Sequence, residues 1–339
     1  MIFPYRTRRA LKRLGITVLI VLLAAAVIWL CWFLWLGRFV VYTRDQGAKL
    51  DFNKPSTEIT GQQAVAPLPS DPVTIYFNEG DNQLNVSREL TQLVGYYVTT
   101  EDLEKDFASV RPHLQKLEKG TPVMIDVKSI QGNFFYSSSV SDRRNPDIDT
   151  NAMDDLLDYL RMSDLYTIAR LPALRDYHYG LNNVLDGMPT AGGYLWMDDS
   201  RCYWLNPTRQ GTMNYLVSII NELKSLGFDE VVLYDLRIPE TNSIVFKQDK
   251  VEAITKAAKT LVDTCATESF AVSFVGDTKF PMPKGRSRLY LENATALEAA
   301  ALVQQTGIED PSVYIVFLTE LHDTRFDAFS VMRPLSGAH

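Results

Sequence analysis

Three short apolar runs, each ending in charge, constrain this chain more than anything else in it. They read VMIDVKS (123–129), YTIARLP (166–172) and GFDEVVLYDLRIP (227–239). A strand buried on both faces reads as a continuous apolar run, and in a parallel α/β protein it opens into a polar site at its C-terminal end. Helical patterns separate the runs. AMDDLLDYLRMS lies between the first two. TMNYLVSIINELKSLGF lies between the second and third, with Met213, Leu216, Val217, Ile220 and Leu223 on one face. Strands alternating with helices predict the α/β class and, here, a (β/α)8 TIM-like barrel with a carboxylate-rich mouth.

Further strand patterns bring the total to about eight: LVGYYVT (93–99), SFAVSFVG (269–276), SRLYLEN (287–293), PSVYIVFLTE (311–320) and FDAFSVMRPL (326–335). EDLEKDFASVRPHLQKLEKG predicts a helix kinked or broken at Pro112, where proline removes a donor and clashes with the preceding turn. KVEAITKAAKTLVDTC predicts another helix. GDTKFPMPKGR is too short and too proline-rich for a crossover helix, so the barrel is expected to be irregular in its C-terminal part.

Ahead of this pattern, Leu14–Leu36 carries no charge and is long enough to cross the hydrocarbon layer. Arg6, Arg8, Arg9, Lys12 and Arg13 precede it, which predicts a cytoplasmic N-terminus. The apolar run continues well past Ala24–Ala26, the small residues that could mark a cleavage site, so an uncleaved signal anchor is expected. The organisation expected is a basic segment at 1–13, a transmembrane helix at 14–37, an extracytoplasmic connector at 38–78 and the barrel domain at 79–339. Within the connector, FVVYTRDQGAKLDF predicts a short hairpin around Asp45–Gly47, and Val73–Phe77 one more strand. The protein would then be a single-pass protein of the cell membrane with its bulk outside.

A net charge of −7 argues against a nucleic-acid partner, which needs a basic face. Four scattered histidines and three cysteines (Cys31, Cys202, Cys265) show no metal-ligand spacing, and there is no glycine-rich phosphate loop or G-x-S-x-G elbow. Neither metal nor cofactor is expected, and the sequence names no protein partner.

From about Gly95 to Asp263, the words GYYVT, VMIDVKSIQG, YTIARLPALRD, YWLNP and LGFDEVVLYDLRIP occur in an order and spacing that resemble a glycoside-hydrolase-like barrel family of bacterial envelope proteins, long catalogued as a domain of unknown function. The resemblance implies a TIM barrel, a glycan ligand and carboxylate chemistry. Two departures stand out. The family's strand segment usually runs FDEIQFDYVRFP, so its Asp is matched here by Tyr234 and its Tyr by Asp235. The family's W-V-D-P reads YWLNP, with Asn206 in place of the Asp. A one-residue slip along a strand turns a side chain to the other face.

Glycosidic hydrolysis needs two carboxyl groups flanking the bond. The candidates are Asp126, Asp235 and Glu292, with one of Asp126 and Asp235 as base or nucleophile and the other, or Glu292, as acid. The resemblance implies that Lys128, Arg170 and Arg237 line the same mouth. In the aromatic loop at about 174–210, Trp196 and Trp204 are candidate sugar-stacking residues; the competing reading is that such aromatics pack the loop's own core. Asp229 and Glu230 lie at the wrong end of their strand for catalysis and read as solvated or helix-pairing groups. Asp198 and Asp199 read as exposed turn residues. The functional expectation is a membrane-anchored, extracytoplasmic glycoside-hydrolase-like protein that acts on or binds polysaccharide, with its catalysis intact or degraded. The alternative is a non-catalytic pseudo-hydrolase serving as a glycan- or protein-binding envelope module.

Overall fold

A computed structural model describes residues 89–335, position 29, and two short strands, β1 (Val40–Thr43) and β2 (Gly47–Leu50). β1 and β2 pair antiparallel, with Val40 opposite Leu50 and Thr43 opposite Gly47, which is the hairpin expected around Asp45–Gly47. The helix expected at 14–37 and the strand expected at Val73–Phe77 lie outside the described residues. Among the described residues, no helix is long and apolar enough to cross a membrane. The chain divides into two units, Met1–Gly80 and Asp81–His339, and the second holds the barrel.

Eight parallel strands close that barrel: β3 (Val94–Val98), β4 (Pro122–Asp126), β5 (Tyr166–Pro172), β6 (Glu230–Tyr234), β7 (Ala271–Val275), β8 (Leu289–Glu292), β9 (Ile315–Leu318) and β10 (Ser330–Pro334). Each pairs with the next, and β10 closes on β3 through Val331 opposite Val94. Alternation along each strand sorts the side chains. Val123 and Ile125 of β4, Ala169 and Leu171 of β5, and Val231 and Leu233 of β6 pack outward against the helices. Met124, Ile168, Val232, Tyr290, Val316 and Met332 fill the bore.

Helices follow the early strands. α1 (Thr100–Lys105) and α2 (Phe107–Leu114) come after β3, and α3 (Thr150–Met162) after β4. α4 (Tyr177–Asn182) and α5 (Gln210–Ser225) come after β5, and α6 (Lys250–Cys265) after β6. Asp149 caps α3 by accepting the Asn151 and Ala152 N–H groups, and the helix buries Met153, Leu156, Leu157 and Leu160 at three- and four-residue spacing. Gly227, at φ 95°, ends α5 in the left-handed conformation that a side chain would resist. Between β7 and β8 there is no helix. Only the short α7 (Ala299–Thr306) and α8 (Pro311–Tyr314) precede β9, and a single 3-10 turn precedes β10. The late barrel is therefore irregular, as its composition predicts.

The break in the first helical segment falls at Asp106 and not at Pro112. A reciprocal capping box between Thr99 and Asp102 starts α1, which runs for only six residues. α2 starts afresh at Phe107, so Pro112 stands near the C-terminal end of an eight-residue helix, where little ladder remains to be broken.

Candidate functional site

The bore has three layers. Met124, Ile168, Val232 and Tyr290 belong to the apolar middle. Below it, at the N-terminal ends of the strands, Glu230 forms an ion pair with Arg288 and accepts the hydroxyls of Tyr166 (2.9 Å) and Tyr290 (3.0 Å). Both charges are fully buried. This overturns the solvated reading of Glu230. Its strand begins inside the barrel, and burial without Arg288 would be prohibitive. Asp229 is not idle either: its carboxylate accepts the Thr167 N–H at 2.8 Å.

The third layer is the mouth. β4 and β5 lie in register so that Asp126 is opposite Arg170. Arg170 Nη1 donates to Asp126 Oδ1 at 3.0 Å, and Nη2 to Glu292 Oε1 at 2.8 Å. Two carboxylates on one guanidinium have their nearest oxygens within about 8 Å of each other, given the size of the planar fork. Asp126 is held further by Thr100, whose N–H (3.0 Å) and hydroxyl (2.9 Å) both donate to Oδ2. The Asp126 side chain is 9% exposed and that of Glu292 35%. Burial works against the charge on Arg170, yet the neighbouring Asp126 and Glu292 outweigh it and hold the guanidinium pKa above its usual value.

Tyr234 ends β6 on the bore side, where the alternation from Glu230 and Val232 places it. The Arg170 guanidinium lies over its ring at 4.6 Å from the centroid. Burial, and then the charge of Asp126, push its phenol up. Asp235 comes one residue later, at φ 55°, a left-handed turn that carries its side chain off the strand. Its oxygens lie 3.7 Å from Arg175 Nη1 and 3.4 Å from Arg237 Nε. The sequence swap therefore has a structural consequence. The phenol takes the bore position, and the carboxylate moves to the wall of the neighbouring cleft. Asn293, at φ 58°, makes the same kind of turn after Glu292.

Two cavities meet here. One, of about 190 Å³, is lined by Tyr97, Met124, Asp126, Arg170, Glu292 and Leu318. The other is a cleft of about 660 Å³ lined by Tyr234, Asp235, Arg237, Lys250, Phe280 and Glu292, among others. Glu292 and Asn293 line both.

Three expected site residues lie elsewhere or are covered. Lys128 is not at the mouth. It is fully buried 2.6 Å from Asp176, whose carboxylate also accepts the Tyr215 hydroxyl (2.9 Å) and the Tyr179 N–H (2.8 Å). Lys128 lies two residues past the end of β4, where strand alternation no longer says which way a side chain points. Trp204 is buried: Arg237 and Arg175 lie over its ring at 5.0 and 5.7 Å, and its Nε1 donates to Asp198 at 2.9 Å. Trp196 is tilted against Trp204 and partly packed into the core. Asp198 is no exposed turn residue. Although burial opposes its charge, the Cys202 N–H, the Trp204 indole and Arg175 hold its carboxyl below the usual range. Arg237 does face the cleft, with its side chain 62% exposed. Asn206 caps its own turn, with Oδ1 accepting the Thr208 N–H and hydroxyl. Cys202 and Cys265 are free thiols that burial pushes up to about 11.

Sequence reasoning missed Tyr97 and Thr100. Tyr97 alternates with the outward-packing Tyr96 and Val98, so the period of the strand was the signal that could have found it.

Residues 95–272, a little over half the chain, match the family model described as "Putative glycosyl hydrolase domain". No curated protein matches the sequence. Among solved structures, a hypothetical protein from Ruminiclostridium thermocellum is 19% identical over 52% of this chain and 96% of that one, with a TM-score of 0.45. A family 31 sulfoquinovosidase from E. rectale is 12% identical over 59% of this chain, which spans only 34% of that enzyme, with a TM-score of 0.41. The glycoside hydrolase domain of PelA from Pseudomonas aeruginosa is 11% identical over 73% of this chain and 96% of that domain, with a TM-score of 0.43.

Proposed function

The chain belongs to this family of glycosyl-hydrolase-type domains, and from that premise we propose that the mouth of its barrel binds and hydrolyses a polysaccharide. The observation that carries the reading is the sharing of Arg170 by Asp126 and Glu292 beside an open cleft. Two carboxyl groups within about 8 Å of each other on one rim support a pair that flanks a glycosidic bond. Glu292, the more exposed and common to both cavities, serves as the acid that protonates the leaving oxygen. Asp126, fixed by Thr100 and Arg170, serves as the opposing carboxylate. Asp235 and Arg237 bind sugar along the cleft wall. Asp126, Arg170, Asp235 and Arg237 fall inside the stretch matched by the family model and Glu292 does not, so the role of Glu292 rests on geometry alone.

The apolar run at Leu14–Leu36 and the basic residues ahead of it support one further element, a single N-terminal membrane anchor that holds the barrel outside the cell. Protease protection of the full chain in sealed vesicles of known orientation checks it.

The test of hydrolysis is release of reducing ends from a panel of soluble polysaccharides by the detergent-solubilised full chain. Glu292→Gln and Asp126→Asn are each expected to lower turnover by about 100-fold or more, the range typical of general acid–base groups. Turnover that survives both substitutions would overturn the assignment. A second reading, glycan binding without hydrolysis, is favoured by one observation: both Asp126 oxygens are already engaged, by Thr100 and by Arg170. Retention on a polysaccharide without any product would select it.

A further inference from the structure

Five tyrosine hydroxyls of this domain donate to carboxylates of the protein. Tyr136 donates to Glu222 (2.8 Å), Tyr179 to Asp186 (3.0 Å), Tyr215 to Asp176 (2.9 Å), and Tyr166 and Tyr290 to Glu230 (2.9 and 3.0 Å). Each is a phenol satisfied by a carboxylate of the protein itself, as enclosed polar groups generally are. Tyr97 and Tyr234, the two phenols that line the mouth cavities, differ from these five. Neither hydroxyl has a hydrogen-bond partner among the described residues, although both stand in the most acidic part of the bore. Both face space: Tyr97 lines the 190 Å³ cavity and Tyr234 the 660 Å³ cleft.

Their places in the barrel are ordered. Tyr97 is on β3, Asp126 on β4, Arg170 on β5 and Tyr234 on β6, so the phenols stand on either side of the carboxylate–guanidinium pair along four consecutive strands. The Tyr234 ring is fixed by the guanidinium above it, and Tyr97 packs against the apolar layer of the bore. Each ring is held while its oxygen is left free.

We infer that the hydroxyls of Tyr97 and Tyr234 are ligand-binding donors, one in each cavity, that take the hydroxyl or ring oxygens of a polyhydroxylated ligand bound across the Asp126–Arg170–Glu292 set. The charge state fits this use. Burial pushes both phenols up, helped by Glu320 at Tyr97 and by Asp126 at Tyr234. They keep their protons at any ordinary pH and serve as donors, not as bases or nucleophiles. Tyr234 also occupies the position where the family pattern carries an Asp, so a hydrogen-bonding group with the opposite preference, donor in place of acceptor, stands there. The inference rests on the carbohydrate reading above and narrows it to two oxygen contacts outside the carboxylate pair.

The test uses the full chain in detergent and affinity electrophoresis through gels containing, separately, a neutral β-glucan, a uronate polymer and chitosan. At least one polymer is expected to retard the wild type. Tyr97→Phe and Tyr234→Phe, which each delete one oxygen, should each weaken that retardation about five- to tenfold, the worth of one exchanged hydrogen bond. Both should melt at the wild-type temperature, because no protein partner loses its bond. Wild-type retardation unchanged in both Phe variants would overturn the inference and leave the carbohydrate reading standing. Retardation by none of the polymers would overturn both.

Discussion

At the floor of the barrel, Glu230 meets Arg288, Tyr166 and Tyr290. At its mouth, Asp126 and Glu292 meet Arg170 beside Tyr97 and Tyr234. The ingredients are the same: carboxylate, guanidinium and two phenols. The floor uses up its bonds. Arg288 gives Nε to the Val313 carbonyl (3.0 Å), Nη2 to the Thr91 carbonyl (2.9 Å) and Nη1 to Glu230, and both phenols end on that carboxylate. The mouth leaves donors and acceptors over. Glu292 has one oxygen free of Arg170, Arg170 Nε is enclosed without a hydrogen-bond partner, and two phenols line cavities. A closed polar network specifies a fold, and an open one is a place for something else to complete.

The largest way to break this contrast is at the floor. Arg288→Met strands Glu230 in a dry bore and is expected to lower the unfolding free energy by about 3–5 kcal/mol, the penalty typical of an orphaned buried charge. The double variant Glu230→Leu, Arg288→Met removes both charges and should recover most of that loss. Urea titrations of the three proteins decide it. A single variant as stable as wild type would mean that water already reaches the floor.

Arg170→Met applies the same operation to the mouth. Asp126 keeps its two Thr100 bonds and Glu292 is partly solvated, so the stability loss should be smaller, about 1–3 kcal/mol. Polysaccharide binding should fall far more steeply, because the two carboxylates lose the group that positions them. If stability fell as far as at the floor while binding held, the mouth would be a second structural network.

The Tyr290 phenol sharpens the contrast on a smaller scale. Tyr290→Phe takes one bond from Glu230 and should cost about 1 kcal/mol at neutral pH. Burial, and then the charge of Glu230, hold the phenols of Tyr290 and Tyr166 above the usual value. The unfolded chain gives up its tyrosine protons near pH 10, where the folded floor still holds them. The native state then binds more protons, so stability falls as pH rises through and beyond about 10. Removing one such phenol should flatten that decline by up to about 1.4 kcal/mol per pH unit. Urea midpoints between pH 9 and 11 give the slope.

Much of this architecture is legible in the residue order alone. Runs that end in charge mark the strands, and the same ends mark Asp126, Arg170 and Glu292, because a buried parallel strand has only its termini free for polar groups. What stays hidden depends on partners far off in sequence. Glu230 reads as solvated because nothing near it identifies Arg288, which is on the neck of another strand 58 residues away. Lys128 reads as a ligand residue because Asp176, its partner, caps a short helix inside a long loop. Trp204 reads as a sugar platform because two arginines that cover it come from separate segments. The slip at Tyr234–Asp235 is visible as a letter swap, but its outcome needs the left-handed turn at Asp235.

The smallest effect expected is the one that tests the contrast most closely. Tyr234→Phe deletes a hydroxyl that stands, like that of Tyr290, near a carboxylate and an arginine, but on a ring that lines a cleft and is less buried. If the neighbouring charges alone set the value of a phenol, the two variants would lose the same stability. The Tyr234 oxygen has no hydrogen-bond partner among the described residues, and its ring keeps the Arg170 stack without it. Its removal should therefore change the unfolding free energy by no more than about 0.5 kcal/mol, like a surface substitution. A loss equal to that of Tyr290→Phe would mean that the hydroxyl already has a partner at the mouth, through water or Asp126, and that the mouth is as closed as the floor.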